Sequence, residues 1–203
     1  SSAKALLFDA DTDALLASAS QEYPLHRPAP DRAEQNPLDW WQSTVVTVRR
    51  LIRHTGLTDV AGIGLTGQMH GMLLLDAAHT PLHPAIIWAD QRSAAAIQTI
   101  TDTIGKAAYT SITGTLPAAG FMIATLVWLA EHQPGLLEQA SHIILPKDYI
   151  RLRLTGEIAT DISDAAATGA FDVSRRAWAE DTLRALGLPT HIFPPALNSA
   201  AVT

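Results

Sequence analysis

The chain of 203 residues contains no cysteine, which excludes disulfide bonds and metal sites built from thiolates. No apolar run reaches the roughly 18 residues that a membrane-spanning helix requires, so we expect no membrane partner. Aromatic residues make up only 6% and charged residues only 17%, whereas hydrophobic residues reach 47%. This composition excludes a disordered chain and predicts a packed core. The absence of cysteine also fits a cytoplasmic location, which we take as the expectation.

Basic residues are too few for a general nucleic-acid-binding protein. The chain has 14 basic and 20 acidic residues and a formal net charge of -6, whereas such proteins carry a basic face. Several motifs of known chemistry are also missing: the Walker A loop, H-E-x-x-H, G-x-S-x-G and the Ca²⁺ loop. What the sequence does contain is one large or two small domains of strands and helices.

Apolar and polar periodicities predict the order of these elements. Residues 4–8 and 14–23 should form a hairpin, and residues 60–65 a buried strand. Asn36-Pro37 is a typical helix start, with the cap followed by proline at the first helical position, and Gly56 should end that helix. Further helices are predicted at about residues 91–104, 122–132, 135–140, 146–154 and 180–186. Because early elements pair as hairpins without strict β-α-β order, the expected fold is α/β with a mixed sheet flanked by helices.

The stretch Gly64-Leu-Thr-Gly-Gln-Met-His-Gly71 holds the main candidate site. Together with Gly62 it matches G-x-G-x-x-G, but an apolar strand pattern follows the glycines where a dinucleotide site requires a helix, which argues against that site. The turn exposes Gln68, Met69 and His70, and the next apolar run delivers Trp88, Asp90 and Arg92. An indole face with directional polar groups suits a polyhydroxylated small molecule.

Each of these residues also has a structural interpretation. A single histidine is more often a hydrogen-bonded structural residue, and Trp88 alone is more often part of a core. Asp90 and Arg92 could pair with each other or cap a helix. Asp161, Asp164 and Asp172 could suggest a metal site by their number, but their surroundings favour caps and turns. No metal ligand is therefore assigned.

Several blocks in the same order resemble the FGGY family of carbohydrate kinases, and within it the xylulokinases. They include Glu34-Gln-Asn-Pro-Leu-Asp-Trp-Trp41, Gly67-Gln-Met-His-Gly71 and Leu145-Pro-Lys-Asp-Tyr149. Thr160-Asp-Ile-Ser-Asp-Ala-Ala-Ala-Thr168 is a further block of this kind. The resemblance implies an actin-like, ribonuclease H-like fold in two domains, with residues 1–203 as the sugar-binding N-terminal domain, incomplete at both ends and without the ATP-binding domain.

The resemblance also implies the chemistry. Phosphoryl transfer from ATP with Mg²⁺ to a sugar hydroxyl is expected, with D-xylulose as the sugar and D-xylulose 5-phosphate as the product. The family's Met-His pair contacts the sugar, which carries over to Met69 and His70. Gln68, Trp88 and Asp90 are expected in the same pocket. A homodimer is possible.

Two departures from the family pattern matter. The phosphate loop is expected before Ser1 and the general-base aspartate beyond Thr203, so no catalytic residue is assigned and the chain alone is expected to be inactive. Ala124-Thr125 stands where relatives usually have Pro-Lys, a change that could be neutral on a surface or alter the pocket rim. A kinase for ribulose or gluconate, or a non-catalytic sugar-binding relative, stays open as an alternative.

Overall fold

A computed structural model describes residues 1–203 as ten strands and eight helices. The strands are β1 (Ser2–Phe8), β2 (Leu15–Glu22), β3 (Glu34–Gln35), β4 (Leu73–Leu75), β5 (Ala85–Ile86), β6 (His142–Ile144), β7 (Thr160–Asp161), β8 (Phe171–Asp172), β9 (Ala177–Trp178) and β10 (Ala196–Leu197). The helices are α1 (Pro37–Thr55), α2 (Ala96–Ile104), α3 (Lys106–Thr113), α4 (Met122–His132), α5 (Pro134–Gln139), α6 (Pro146–Thr155), α7 (Ile162–Ala166) and α8 (Glu180–Ala185). None of the helices is long and apolar enough to cross a membrane.

Strand β4 lies between two hydrophobic cores. Met72 and Leu74 face a large core built around α4, whereas Leu73 and Leu75 face a smaller core that contains Trp40 and Tyr149. All four residues from Met72 to Leu75 are fully buried. Since successive side chains of a strand point to opposite faces, an unbroken apolar run is what a strand covered on both sides requires.

The strands pair in both directions, as a mixed arrangement requires. β1 pairs with β2, β3 with β5, β4 with β6 and β8 with β9, all antiparallel, while β7 and β10 are parallel. A bridge between Met72 and Ile86 joins β4 to β5. The paired segments are short, and much of the chain between them forms loops.

Helix α1 has the boundaries that its sequence predicts. The Asn36 side chain accepts a hydrogen bond from the Leu38 N–H at 3.0 Å, and Pro37 occupies the first helical position. Gly56, at φ 69°, adopts the left-handed conformation and donates its N–H to the Ile52 carbonyl. Both ends therefore follow local rules for caps.

The predicted strand at residues 60–65 is wrong. This segment pairs with no other strand, and Val60, Ile63 and Leu65 are exposed, Ile63 to 70%. Its apolar pattern satisfies one requirement of a strand, but the backbone also needs a neighbour for its N–H and C=O groups. No strand lies beside it, so the pattern alone does not produce a strand.

A buried ion cluster joins α6, β7 and α7. The Lys147 Nζ lies 2.7 Å from Asp148 Oδ1, 2.8 Å from Asp161 Oδ1 and 3.2 Å from Asp164 Oδ2. Burial by itself would lower the pKa of Lys147, but the three carboxylates raise it above its ordinary value. The ammonium group therefore stays charged and offsets part of the negative charge of the three aspartates. Two of them, Asp161 and Asp164, were expected to form caps and turns.

Besides its ion pair with Lys147, Asp161 accepts further hydrogen bonds. Its carboxylate caps α7 by accepting the Ser163 N–H at 2.9 Å, and it also accepts the Ser199 hydroxyl at 2.7 Å. Burial works to raise the pKa of Asp161, but the hydrogen bonds and charge of Lys147 and the Ser199 bond outweigh it and lower the pKa from 3.8 to about 2. Its ionised form therefore stabilises the folded chain.

Asp161→Asn should lower the free energy of unfolding at pH 7 by about 1 kcal/mol, since the group keeps part of its exposure to water. Asparagine caps a helix as well as aspartate does, so the change isolates the charge. The pKa is lower in the folded chain, so the stabilisation is complete above the ordinary value of 3.8 and disappears as the pH falls towards about 2. Urea unfolding at a series of pH values measures this.

Asp172→Asn is the matched control. Its carboxylate accepts the Ser174 and Arg175 N–H groups, and its only ion pair is with the exposed Arg175. We expect its effect to stay below about 0.5 kcal/mol. A deficit of Asp161→Asn that persists unchanged at pH 2 would contradict the electrostatic explanation.

Candidate functional site

The turn that precedes β4 holds His70 in an uncommon backbone conformation. The Gly71 N–H donates to the Met69 carbonyl at 2.9 Å, which closes a three-residue turn with His70 at its centre at φ 70°. A turn of this kind is rare and strained for a residue with a side chain. Such strain persists only where the surroundings impose it, and it occurs most often at functional sites.

Gly71 and Gly120 let three chain segments meet at this turn. A Cβ atom at Gly71 would lie 3.0 Å from the Ile86 carbonyl oxygen, and one at Gly120 would lie 2.1 Å from the Trp88 carbonyl oxygen. Gly120 also has φ 79°. Because Gly120 has no room for a side chain and Gly71 has little, the backbones on either side of Trp88 are held against the His70 turn and the start of α4.

The His70 ring has two defined neighbours. It stacks on Phe121 with 4.3 Å between ring centroids and an interplanar angle of 2°. Its Nδ1 forms a hydrogen bond with the Ala167 carbonyl oxygen. Met69 beside it is 44% exposed and Trp88 is 56% exposed. The structure therefore presents a thioether, an imidazole and an indole on an accessible surface.

Gln68 is tied to the smaller core. Its Nε2 donates to the Gln35 Oε1 at 2.7 Å, and the same oxygen accepts the Trp40 Nε1 at 3.1 Å. Gln35 is buried and donates in turn to the Ser1 hydroxyl. The amide oxygen of Gln68 is the part of this side chain that is free of these bonds.

Asp90 is fully buried, and both oxygens of its carboxylate accept two hydrogen bonds each. Oδ1 accepts the Arg92 backbone N–H at 3.0 Å and its Nε at 2.8 Å, while Oδ2 accepts the Arg92 Nη2 at 2.8 Å and the Ala33 N–H at 2.7 Å. A carboxylate has about four acceptor positions, and all of them are taken here. The contact of Asp90 with a ligand stays a prediction, and its observed bonds hold the loop after Trp88 in place.

Arg92 completes this network. Its Nη2 also lies 2.5 Å from Glu34 Oε1, and its guanidinium lies 5.4 Å from the Trp128 ring centroid. Burial alone would lower the pKa of Arg92, but the bonds and charges of Asp90 and Glu34 raise it above its ordinary value. The pairing of Asp90 with Arg92 is one of the alternatives that the sequence left open, and the structure contains it.

Ala124 and Thr125 lie inside the molecule. Both are in α4 and are almost completely buried, with 0% and 1% exposure. The departure from the family's Pro-Lys pattern is therefore on neither the surface nor an exposed rim. Small side chains at these positions pack within the large core.

Sequence reasoning missed Phe121 and Ala167, the two residues that contact the His70 ring. They are far from His70 in the sequence, and a Gly-Phe pair before an apolar helix does not identify a stacking partner. A surface cleft of roughly 500 Å³ contains none of the predicted site residues. It is lined by His26, Arg27, Pro28, Glu34, Asn36 and Pro84.

Comparison with known proteins gives the relationships of the chain. Residues 1–203 match the model of the FGGY family of carbohydrate kinases, N-terminal domain. The chain is 39% identical over its whole length to the xylulose kinase of Klebsiella pneumoniae, of which it covers 41%. The chain thus spans about two fifths of that relative's length.

Two solved structures have the same fold over nearly the whole chain. The xylulose kinase of Rhodospirillum rubrum has a TM-score of 0.91 and 26% identity, with 97% of this chain and 40% of that one covered. The gluconate kinase of Lactobacillus acidophilus has a TM-score of 0.89 and 26% identity, with 97% and 39% covered. The predicted actin-like α/β fold is confirmed, and the chain belongs to the FGGY family of carbohydrate kinases.

Proposed function

We propose that this chain is the sugar-binding N-terminal domain of an ATP-dependent xylulose kinase. The observation that carries the proposal is the strained turn that presents Met69 and His70 beside the exposed Trp88. An apolar ring face can cover the carbon atoms of a sugar, while the imidazole binds a hydroxyl. The names of the relatives, which are xylulose kinases from several bacteria, support the choice of sugar.

In the complete protein, the proposed reaction transfers the γ-phosphoryl group of ATP to the terminal hydroxyl of D-xylulose. The new bond joins the sugar oxygen to phosphorus, the bond to the β-phosphate oxygen breaks, and the hydroxyl proton passes to a general base. The products are D-xylulose 5-phosphate and ADP. The part of this chain is to bind and orient the sugar. We assign the general base to none of its carboxylates.

Mg²⁺ does not fit a site within this chain. No group of three or more histidine, aspartate or glutamate side chains is arranged to hold a metal ion. The carboxylates of Asp148, Asp161 and Asp164 already pair with Lys147, whose Nζ lies within 3.2 Å of each. We therefore propose that ATP and Mg²⁺ bind to other parts of the complete protein, and no step in this domain depends on the ion.

The contribution of each predicted residue differs. Met69, His70 and Trp88 are proposed as direct sugar contacts because Met69 and Trp88 are exposed and Gly71, next to His70, packs against the Trp88 backbone. Gln68 contributes its amide oxygen, since its nitrogen is bound to Gln35. Asp90 is proposed to act by holding the Trp88 loop. A cytoplasmic location and a homodimer stay predictions.

Two alternatives compete with this proposal. A kinase for gluconate is favoured by the likeness to the gluconate kinase of Lactobacillus acidophilus, whose identity equals that of the solved Rhodospirillum rubrum xylulose kinase. A non-catalytic sugar-binding relative would keep the turn but lack phosphoryl transfer. The Ala124-Thr125 departure gives the second alternative little support, because both residues are packed in the core.

A sugar panel tests the function. With ATP and Mg²⁺, the complete protein should phosphorylate D-xylulose with a kcat/KM roughly 100-fold above that for D-ribulose or D-gluconate, because a site that binds specific hydroxyls discriminates strongly. Coupled detection of ADP measures the rates. Preference for gluconate would select the first alternative. Sugar binding without any ADP release would select the second.

His70→Ala should raise the KM for xylulose roughly 30-fold and leave the KM for ATP unchanged, because a lost hydrogen bond to a buried ligand costs about 2 kcal/mol. His79→Ala is the matched control. His79 is also a histidine at positive φ, 61°, but lies in the turn after β4. An unchanged xylulose KM in His70→Ala would remove His70 from the site.

Asp90→Asn tests the proposed structural task of Asp90. Removing the charge leaves the buried Arg92 without its bidentate partner, which should lower the free energy of unfolding by about 3 kcal/mol. Urea unfolding measures this loss. If stability were unchanged and only the xylulose KM rose, Asp90 would be a sugar ligand instead.

A further inference from the structure

One nitrogen of the His70 ring is already committed within the chain. Nδ1 is hydrogen-bonded to the Ala167 carbonyl oxygen. A carbonyl oxygen only accepts hydrogen bonds, so Nδ1 must carry the proton. In a neutral imidazole the other nitrogen then has a lone pair and no proton. Nε2 has no hydrogen-bond partner in the chain, so this acceptor is free.

The Ala167 carbonyl belongs to a firmly held loop between α7 and β8. The Ile123 N–H donates to the Thr168 carbonyl at 3.2 Å, and the Tyr109 hydroxyl donates to the Gly169 carbonyl at 2.8 Å. Thr168 and Tyr109 are both completely buried. Burial raises the pKa of Tyr109 to about 12, so its hydroxyl keeps the proton that it donates at neutral pH.

Phe121 contacts both this loop and the His70 ring. Gly169, at φ 73°, has no space for a side chain, since a Cβ atom there would lie 2.5 Å from the Tyr109 hydroxyl oxygen and 3.3 Å from Phe121 Cδ2. Phe121 also forms the parallel stack on His70. The phenyl ring therefore fixes the plane of the imidazole while Ala167 fixes its rotation within that plane.

We propose that Phe121 and the Ala167–Gly169 loop are positioning elements that hold His70 as the Nδ1–H tautomer, with Nε2 as an acceptor for one sugar hydroxyl. This inference rests on the proposed sugar-binding function and specifies its chemistry. A lone pair at Nε2 attracts a hydroxyl proton and repels a carboxylate oxygen. The site therefore selects a neutral polyol at this position over the carboxylate of a sugar acid.

The strained backbone of His70 agrees with this arrangement. A residue with a side chain at φ 70° is disfavoured. The stack and the Nδ1 hydrogen bond offset that strain only when the ring is in one orientation. Loss of either contact should allow the turn to relax and the ring to rotate.

The tautomer is measured directly by long-range ¹H–¹⁵N correlation spectra of the complete protein labelled with ¹⁵N-histidine. The signal of His70 is assigned by its absence in His70→Asn. We expect a protonated Nδ1 and an unprotonated Nε2 at a pH where the ring is neutral. A protonated Nε2, or an equal mixture of the two tautomers, would overturn the proposal.

Phe121→Leu tests the positioning task. It should raise the KM for xylulose about tenfold, leave kcat and the KM for ATP within about twofold, and populate the second tautomer in the ¹⁵N spectrum. Phe193→Leu is the matched control, since Phe193 packs on Trp178 and makes no contact with His70. Its xylulose KM should not change.

Tyr109→Phe is a milder second variant in case Phe121→Leu fails to fold. It removes only the hydroxyl that holds the Gly169 carbonyl, and should raise the xylulose KM about threefold in the same direction. A xylulose KM and a tautomer that are both unchanged in the folded variants would overturn the proposal. Absence of any kinase activity would contradict the proposed function alone, because the tautomer is measured without turnover.

Discussion

The burial of β4 on both faces is the constraint on which the rest of the domain depends. Met72 and Leu74 fill one core while Leu73 and Leu75 fill the other, so the strand cannot shift by one residue without exchanging its two faces. This fixed register locates the His70 turn, which directly precedes the strand. It also locates β5 and the Trp88 loop through the hydrogen bonds between Met72 and Ile86.

Two buried ion networks hold the loops around β4 in place. Arg92 joins Asp90 and Glu34, while Lys147 joins three aspartates from α6, β7 and α7. Burying a charge is costly, and the cost is offset only where the partners and hydrogen bonds are complete. Lys147 has three carboxylate partners and Arg92 has two, and both networks tie together segments that are distant in the sequence.

Local rules predicted much of the fold. The boundaries of α1 follow from Asn36, Pro37 and Gly56, and α4 begins and ends as its apolar run predicts. Residues 60–65 show where such reasoning fails, because strand formation depends on a neighbour that no local pattern reports. Helix α3 was not predicted, since its short sequence has no clear apolar stripe.

The sequence predicted only part of the candidate site. The turn residues Met69 and His70 were found from the glycines around them, but Phe121 and Ala167 meet the imidazole through tertiary packing alone. The pair of Asp90 with Arg92 was one alternative that the sequence left open, and the folded structure contains it, while a ligand contact of Asp90 stays a prediction.

Gly120 and Gly169 have a consequence for how sequence variation can act on this site. Gly120 directly precedes Phe121 in the chain, and Gly169 lies close to the Phe121 ring in space. Both glycines have a positive φ and no space for a Cβ atom. Neither glycine offers a functional group to a ligand. A substitution at either glycine would therefore displace the backbone around Phe121 and disturb the His70 turn without changing any side chain of the candidate site.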